Sequence, residues 1–245
     1  MLDGEGMANA RQMQTTGPIE AFSLVMAYKG GSAEALVALA GDLSLPEADA
    51  GTLRDAPTAT DARRSFFARR GLARRAVARR LKCDASSVEI ARDADGAPRL
   101  LAPSCGLHVS LSSRDELVTA AVADHAVGVD VEAIGAAFDA PVNVLHPAER
   151  AAIEAAGESG HEYFLRIWTA KEAYLKALGL GLAREPSEIE IRFGPGVPSQ
   201  GSILLRGADD VVVVDRGRRV GIAAGFAQRL TYCGRPLALA CIVLA

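Results

Sequence analysis

The chain has 245 residues, of which 49% are hydrophobic and 23% charged, and its formal net charge is −3. This composition is typical of a folded globular protein with a sizeable core, and it excludes a fibrous or low-complexity chain. The small net charge predicts no general attraction to nucleic acid or to an anionic membrane. The four cysteines show no CxxC spacing, which argues against a zinc site and a disulfide framework, so we expect reduced thiols and a cytoplasmic protein.

The first half of the chain is predicted to combine one long helix with short strands. Residues 1–18 are polar and lack the charged-then-apolar pattern of a secretory signal, so we expect a disordered, unexported tail. The long helix is predicted to follow Asp61 and to continue through Leu81, with an apolar face and many arginines on the rest of its surface. The other predicted elements are strands at 20–28, 87–91, 107–111, 117–122 and 127–131, a short helical pattern at 33–40 and a loop at 46–60.

The second half shows a similar order of elements. A helix is predicted to begin at Pro147, and a strongly amphipathic helix at 162–178 is predicted to end at Gly179. Strands are predicted at 189–193, 203–205, 211–214, 220–224 and 237–244. We therefore predict an α+β fold of two similar, pseudo-duplicated lobes at 19–127 and 128–245, each a mainly antiparallel sheet packed with a long helix, with the active site between them. The duplication rests on element order alone, since no residue-level repeat is visible.

Two carboxylates lie at the end of the predicted strand at 127–131: Asp130 within it and Glu132 directly after it. Because side chains alternate along a strand, Asp130 and Glu132 point to one side, roughly 6 to 7 Å apart along the backbone, while Val129 and Val131 point to the core. With Glu172 from the later helix they form a carboxylate set suited to Mg²⁺, or Mn²⁺, at a substrate diphosphate. The competing interpretation is that both acids are the solvent face of an edge strand.

The helix segment WTAKEAYLK, residues 168–176, also allows two interpretations. Glu172 and Lys176 are four residues apart, in the order that gives a favourable surface pair worth a few tenths of a kcal/mol. Trp168 and Leu175 then simply face the core. What favours a functional interpretation is the combination of this helix with the Gly-led acidic strand, which is rarer than either part.

Together, GVDVE at 128–132 and WTAKEAYLK at 168–176 resemble the paired signature of 4′-phosphopantetheinyl transferases of the larger, surfactin-synthetase-activating type. HPAE at 146–149 and LGLGL at 178–182 stand where that family has similar short segments. Upstream, GAP at 96–98 and VSLS at 109–112 follow in the expected order. The resemblance covers most of residues 55–185.

The resemblance implies Mg²⁺-dependent transfer of 4′-phosphopantetheine from coenzyme A to a serine of an acyl or peptidyl carrier protein, with release of adenosine 3′,5′-bisphosphate. By resemblance, Asp130, Glu132 and Glu172 hold the metal ion. Lys176 and Lys171 neutralise the diphosphate and the leaving group. Glu149 is the candidate base for the carrier serine, and its competing role is to stabilise the first turn of the helix that Pro147 opens.

The coenzyme A end of the site follows from the resemblance as well. It implies that an arginine of the long helix, Arg63, Arg64 or Arg69, grips the 3′-phosphate, and Arg64 is the first choice. Ser112 and Ser113 stand where the family contacts the phosphates of coenzyme A. The chain departs from the family at two positions: Ser113 replaces a histidine, and Ala97 replaces a lysine or arginine. Arg99 and Arg114 are candidates to supply the missing charge.

Three hypotheses therefore remain. The first is an active transferase with coenzyme A and a carrier protein as partners. The second is a catalytically weak relative that acts as a carrier-protein-binding module, favoured by the substitutions at Ala97 and Ser113. The third is a different metal-dependent phosphotransfer or hydrolytic enzyme. The resemblance also implies a monomer, and the sequence leaves the identity of the carrier open.

Overall fold

The computed structural model describes residues 22–27, 34–40, 58, 60–115, 117–135, 142–180, 183–194, 211–232 and 234–245. Three α-helices fall in these ranges: α1 (Thr60–Leu81), α2 (Pro147–Ala155) and α3 (Gly160–Leu178). Twelve strands accompany them, in the order β1 (Phe22–Ala27), β2 (Glu34–Ala40), β3 (Glu89–Arg92), β4 (Pro98–Ala102), β5 (His108–Arg114), β6 (Leu117–Ala123), β7 (Val127–Ala133), β8 (Ile189–Phe193), β9 (Val211–Asp215), β10 (Arg218–Arg219), β11 (Ile222–Tyr232) and β12 (Arg235–Leu244).

The strands form antiparallel sheets, which confirms the predicted α+β class. One sheet has the order β1-β2-β6-β5, a second has the order β11-β12-β7, and a third has the order β10-β9-β8. Strands β3 and β4 form a separate hairpin. The predicted duplication is not confirmed, since the two main sheets differ in strand number and order. The division into lobes at residue 127 stays a prediction.

The two main sheets and the helices α1 and α3 form four layers. Leu72 and Val77 of α1 pack on Val118 and Val122 of β6, on the outer face of the first sheet. The inner faces of the two sheets meet in a second cluster built from β2, β6, β7, β11 and β12. Helix α3 covers the outer face of the second sheet, where small residues of β12 leave room for it. The order of layers is therefore α1, first sheet, second sheet, α3.

Strand β7 shows how the sequence GVDVE meets these layers. Val129 and Val131 are 0% and 1% exposed and lie between the two sheets, as predicted. Gly128 faces α3, and a Cβ atom built on it would lie 1.7 Å from the carbonyl oxygen of Ala173. Glycine at this position therefore lets α3 approach the strand backbone, and Asp130, two residues on, points to the same side.

Replacing Gly128 by alanine is expected to destabilise the protein by about 3 kcal/mol or more, because the new methyl group would overlap helix backbone that has no rotamer to relieve the contact. Urea unfolding measures the change. Gly221→Ala is the matched control, since its added Cβ would meet only the Ala245 side chain at 3.4 Å. Equal unfolding free energies for the two variants would contradict the close approach of α3 to β7.

One predicted element has the wrong type. The pattern at 33–40 was interpreted as helical, but residues 34–40 form strand β2, which pairs with β1 and β6. The apolar run EALVALA fits either periodicity over so short a length, and pairing on both edges decides for the strand. Strand β4 and the short β10 were not predicted, and β11 continues to Tyr232, well beyond the predicted end at residue 224. The predicted tail at 1–18 and the strand at 203–205 lie outside the described residues.

Two further features bear on the expected environment. Among the residues that the structure describes, no helix is both long enough and apolar enough to cross a membrane. Cys83, Cys105 and Cys241 are free thiols, the first two exposed and the third buried. The expectation of reduced cysteines stays a prediction.

Candidate functional site

Asp130 lies at the meeting point of β5, β7 and α3. Its Oδ1 accepts hydrogen bonds from Ser112 Oγ and Lys176 Nζ, both at 2.7 Å. Lys176 Nζ also donates to the carbonyl oxygen of Val129 at 3.2 Å. The other carboxylate oxygen, Oδ2, is buried and has no hydrogen-bond partner. One oxygen of Asp130 is therefore held in place while the second is left for a further ligand.

The two other predicted metal ligands lie beside Asp130. Burial raises the pKa of Glu132 to about 7, and the negative charges of Asp130 and Glu172 add to the rise, while Arg114 and Lys176 oppose it. Burial also raises the pKa of Glu172, with Lys176 opposing and Asp130 adding. Arg114 Nε lies 3.2 Å from Glu132 Oε2. Three carboxylates thus lie in one region, where the positive charges of Arg114 and Lys176 offset their mutual repulsion in part.

The chemistry of this carboxylate cluster, which we define as Asp130, Glu132 and Glu172, fits a hard divalent cation. Two observations support this fit: the buried Oδ2 of Asp130 has no hydrogen-bond partner, and the three carboxylates repel one another. Within the described ranges, no three acidic, histidine or cysteine side chains already close around a single ion position. Lys176 instead places its ammonium group on Asp130. The metal-binding role of the cluster stays a prediction.

Without divalent cations, the stability of the protein is expected to fall between about pH 4.5 and pH 7, in part because of Glu132. Below pH 4.5 this carboxyl group is protonated in both states. Between the two values the folded state keeps a proton that the unfolded state has released, so the unfolding free energy decreases as pH rises. The Glu132 side chain is 14% exposed. After allowance for solvent screening, we expect its titration to lower the unfolding free energy by about 1 to 2 kcal/mol over this pH range.

Urea unfolding of wild type and Glu132→Gln at pH 5 and pH 8, in chelator, measures this contribution. The difference in unfolding free energy between the two pH values should be smaller in Glu132→Gln by that amount. Glu154→Gln removes an exposed carboxylate of α2 and serves as the matched control. An identical pH dependence in wild type and Glu132→Gln would show that the group titrates normally in the folded state.

Glu149 and Lys171 form a buried ion pair. Lys171 Nζ lies 2.6 Å from Glu149 Oε2, and the two side chains are 0% and 2% exposed. Burial lowers the pKa of Lys171, while the charge of Glu149 and its hydrogen bond oppose this. The pair is coupled to several segments: Lys171 Nζ donates to the carbonyl oxygens of Val144 and Pro186, and Glu149 accepts from the backbone N–H groups of His146 and Ile191.

This arrangement bears on two predicted catalytic roles. The Glu149 carboxylate is surrounded by the Lys171 ammonium and two backbone N–H groups, and the bond to His146 forms the capping box of α2. Lys171 has used three donors on protein oxygens. The roles of Glu149 as base and of Lys171 as diphosphate ligand stay predictions. The geometry favours a positioning role for both.

A cleft of about 1130 Å³ opens beside the carboxylate cluster. Its lining residues come from α1, from β3 to β5 and the turns between them, from Ala126 and Val127, and from the end of α3 with Gly179, Leu180 and Ala183. Lys176 lines the cleft and also contacts Asp130, so it links the cavity to the cluster. The cleft could hold an extended ligand whose charged group reaches Lys176.

The predicted coenzyme A contacts are spread around this region. Arg69 and Ala97 line the cleft. Ser112 donates to Asp130, whereas Ser113 accepts a hydrogen bond from Ser65 Oγ of α1 at 3.0 Å. The guanidinium of Arg63 stacks on Phe67, 5.1 Å from the ring centroid. The side chain of Arg64, the first choice for the 3′-phosphate, lies outside the described residues.

Sequence reasoning missed two contributions to the site. Ser110 Oγ accepts a hydrogen bond from the Val129 N–H, and with Ser112 it joins the facing strands β5 and β7. The alternation of Ser110 and Ser112 within VSLS is the signal that could have identified a polar strand face. Arg92, which lines the cleft, had no signal of its own, because it is one arginine among many.

The comparisons with known proteins concern the part of the site that contains the carboxylate cluster and Lys176. A family model described as the 4′-phosphopantetheinyl transferase superfamily matches residues 126–219. The 4′-phosphopantetheinyl transferase gsp of Aneurinibacillus migulanus is 32% identical over 79 residues, which is 31% of this chain and 33% of that protein. The chain thus aligns with about a third of the length of this curated relative. The family match confirms the resemblance for the segment that carries both motifs.

Proposed function

We propose that the chain transfers 4′-phosphopantetheine from coenzyme A to a serine of an acyl or peptidyl carrier protein. The observation that carries this proposal is the double contact of Lys176, which lines the cleft and binds Asp130. A diphosphate lying in the cleft at Lys176 would therefore face the carboxylate cluster. The superfamily match over 126–219 includes all three carboxylates and Lys176.

In the proposed reaction the serine oxygen attacks the phosphorus atom that carries the pantetheine arm. A new phosphorus–oxygen bond forms to the carrier, the diphosphate bridge breaks, and adenosine 3′,5′-bisphosphate leaves with the bridging oxygen. The serine proton passes to a base or to solvent. Mg²⁺ bound by Asp130, Glu132 and Glu172 would supply charge neutralisation at the diphosphate.

The protein side chains have distinct tasks in this proposal. Lys176 orients the diphosphate and offsets the charge of the leaving group, because its flexible ammonium can move from Asp130 to a phosphate oxygen. Ser112 keeps the Asp130 carboxylate in one rotamer through its 2.7 Å hydrogen bond. The buried Glu149–Lys171 pair fixes α3 against α2 and β8, and so holds Glu172 and Lys176 in register.

The cleft also supports the predicted position of the site between two lobes. Its lining residues include members of α1 and of β3 to β5, before the predicted boundary at residue 127, and Lys176 to Leu180 with Ala183, after it. The lining residues from α1 and from β3 to β5 lie outside the matched residues 126–219. The proposed role of the carboxylate cluster is therefore supported by the superfamily match, whereas the proposed binding of coenzyme A in the cleft is supported by the geometry of this chain.

The test is transfer to a carrier protein. Full-length protein is incubated with coenzyme A, Mg²⁺ and an apo carrier protein, and the carrier is weighed intact. A gain of one phosphopantetheine that is lost in chelator supports the proposal. Stable carrier binding without a mass gain would replace it with the second hypothesis, a binding module, which the alanine at position 97 in the cleft favours.

A further inference from the structure

The segment that follows α3 lines the cleft and is held by a contact outside it. Residues 179–180 and 183–188 of this segment are described. Gly179, Leu180 and Ala183 line the cleft, whereas Arg184, the next residue, does not. The guanidinium of Arg184 instead contacts Oδ1 of Asp215, the last residue of β9. The lining of the cleft is therefore followed at once by a side-chain contact with the third sheet.

Asp215 also bonds to α3 itself. Its other carboxylate oxygen, Oδ2, accepts a hydrogen bond from the Tyr174 hydroxyl at 2.9 Å. Burial, and after it this hydrogen bond, raises the pKa of Tyr174, so the hydroxyl stays protonated and remains a donor. Both oxygens of Asp215 thus have a partner, which gives the carboxylate one orientation between α3 and Arg184. We define Tyr174, Asp215 and Arg184 as the anchor.

Backbone hydrogen bonds hold the start of the segment on α3. Gly179 ends the helix with a φ of 71°, and the Leu180 N–H donates to the carbonyl oxygen of Leu175 at 3.2 Å. The Ala183 N–H in turn donates to the carbonyl oxygen of Leu180 at 3.1 Å. At the other end, Arg184 holds the segment by its side chain. The cleft-lining residues thus lie between α3 and the anchor.

We infer that the anchor positions the segment after α3 for the binding of coenzyme A. The inference rests on the proposed function, in which the diphosphate lies at Lys176, just before this segment. Leu180 lines the cleft with 48% of its surface exposed, and a fixed backbone lowers the entropy cost of placing it against a bound ligand. No residue of the anchor lines the cleft, so the anchor acts on coenzyme A through the position of the segment.

The test is steady-state transfer by the full-length protein, with KM for coenzyme A and kcat measured at saturating apo carrier protein. Arg184→Met removes the ion pair and keeps an aliphatic side chain. Its KM should rise about fivefold or more while kcat stays within about twofold, because contacts that are equal in the ground state and the transition state affect KM alone. Arg184→Lys keeps the positive charge and should return KM toward the wild-type value.

Asp215→Asn tests whether the two charges act as one unit. It should raise KM as Arg184→Met does, and the double variant Arg184→Met, Asp215→Asn should raise KM no further than either single variant. Additive increases in KM would overturn the inference, because the two side chains would then act on coenzyme A separately.

Arg229→Met is the matched control. It removes the ion pair between Arg229 of β11 and Glu162 in the first turn of α3, at the other end of that helix, and neither residue lines the cleft. Its KM should equal that of wild type. An equal rise in KM in Arg229→Met would overturn the inference, because any loosening of α3 would then have the same effect.

A purely structural role of Arg184 predicts a different result. The folded fraction would fall in Arg184→Met, so kcat per total protein would drop while KM stayed unchanged. That result, with transfer intact in wild type, would overturn the inference and leave the proposed function standing. If wild type transfers no phosphopantetheine to any apo carrier protein, the proposed function fails and the inference fails with it.

Discussion

Replacing Asp130 by asparagine is expected to lower the rate of phosphopantetheine transfer at least about a hundredfold, with little change in stability. Asparagine has the same shape, and its carbonyl oxygen can still accept the hydrogen bonds from Ser112 and Lys176. What the variant loses is one negative charge and an anionic oxygen for the divalent cation. Removal of a direct metal ligand should cost at least as much as the 10- to 100-fold typical of groups that only support a ligand.

The measurement is the initial rate of carrier modification at saturating coenzyme A, over a range of Mg²⁺ concentrations. Asp124→Asn is the control, because it removes an exposed carboxylate that pairs with Arg80 and lies outside the cleft and the cluster. Its rate should match wild type. An active Asp130→Asn with an unchanged Mg²⁺ dependence would remove Asp130 from the metal site and leave the strand motif with a structural role.

The motif-bearing half of the site was predictable because its residues obey simple periodicities. Alternation along β7 places Asp130 and Glu132 on the side opposite Val129 and Val131, and one helical turn separates Glu172 from Lys176. The sequence alone could not show that the acidic face of β7 turns toward α3. That follows from Gly128, where the helix backbone approaches the strand.

The rest depended on contacts that are distant in sequence. Strand β2 was predicted as a helix because its type is decided by pairing with β1 and β6. Glu149 in the first turn of α2 could be read as a base or as a helix-stabilising acid. Only the meeting of α2, α3 and β8 shows that Lys171 and the Ile191 N–H surround its carboxylate. Side-chain environments of this kind are set by tertiary structure, which local pattern does not record.

Removing either partner of the Glu149–Lys171 pair is expected to destabilise the protein by about 3 to 5 kcal/mol, because a buried charge is left uncompensated. Glu149→Gln keeps the shape of the side chain but leaves the Lys171 ammonium alone. Lys171→Met keeps the aliphatic stem but leaves the carboxylate alone, and it also strips the carbonyl oxygens of Val144 and Pro186 of their donor. Urea unfolding of both single variants measures these costs.

The double variant Glu149→Gln, Lys171→Met decides between a positioning pair and a catalytic base. Removing both charges should make the double variant at least about 2 kcal/mol more stable than the sum of the single effects predicts. If the pair only positions Glu172 and Lys176, transfer per folded molecule should recover in the double variant together with its stability. If Glu149 removes the proton from the carrier serine, transfer should stay low in every variant that lacks its carboxylate, however stable that variant is. We expect recovery, because the Glu149 carboxylate is 2% exposed and already accepts from Lys171 and two backbone N–H groups.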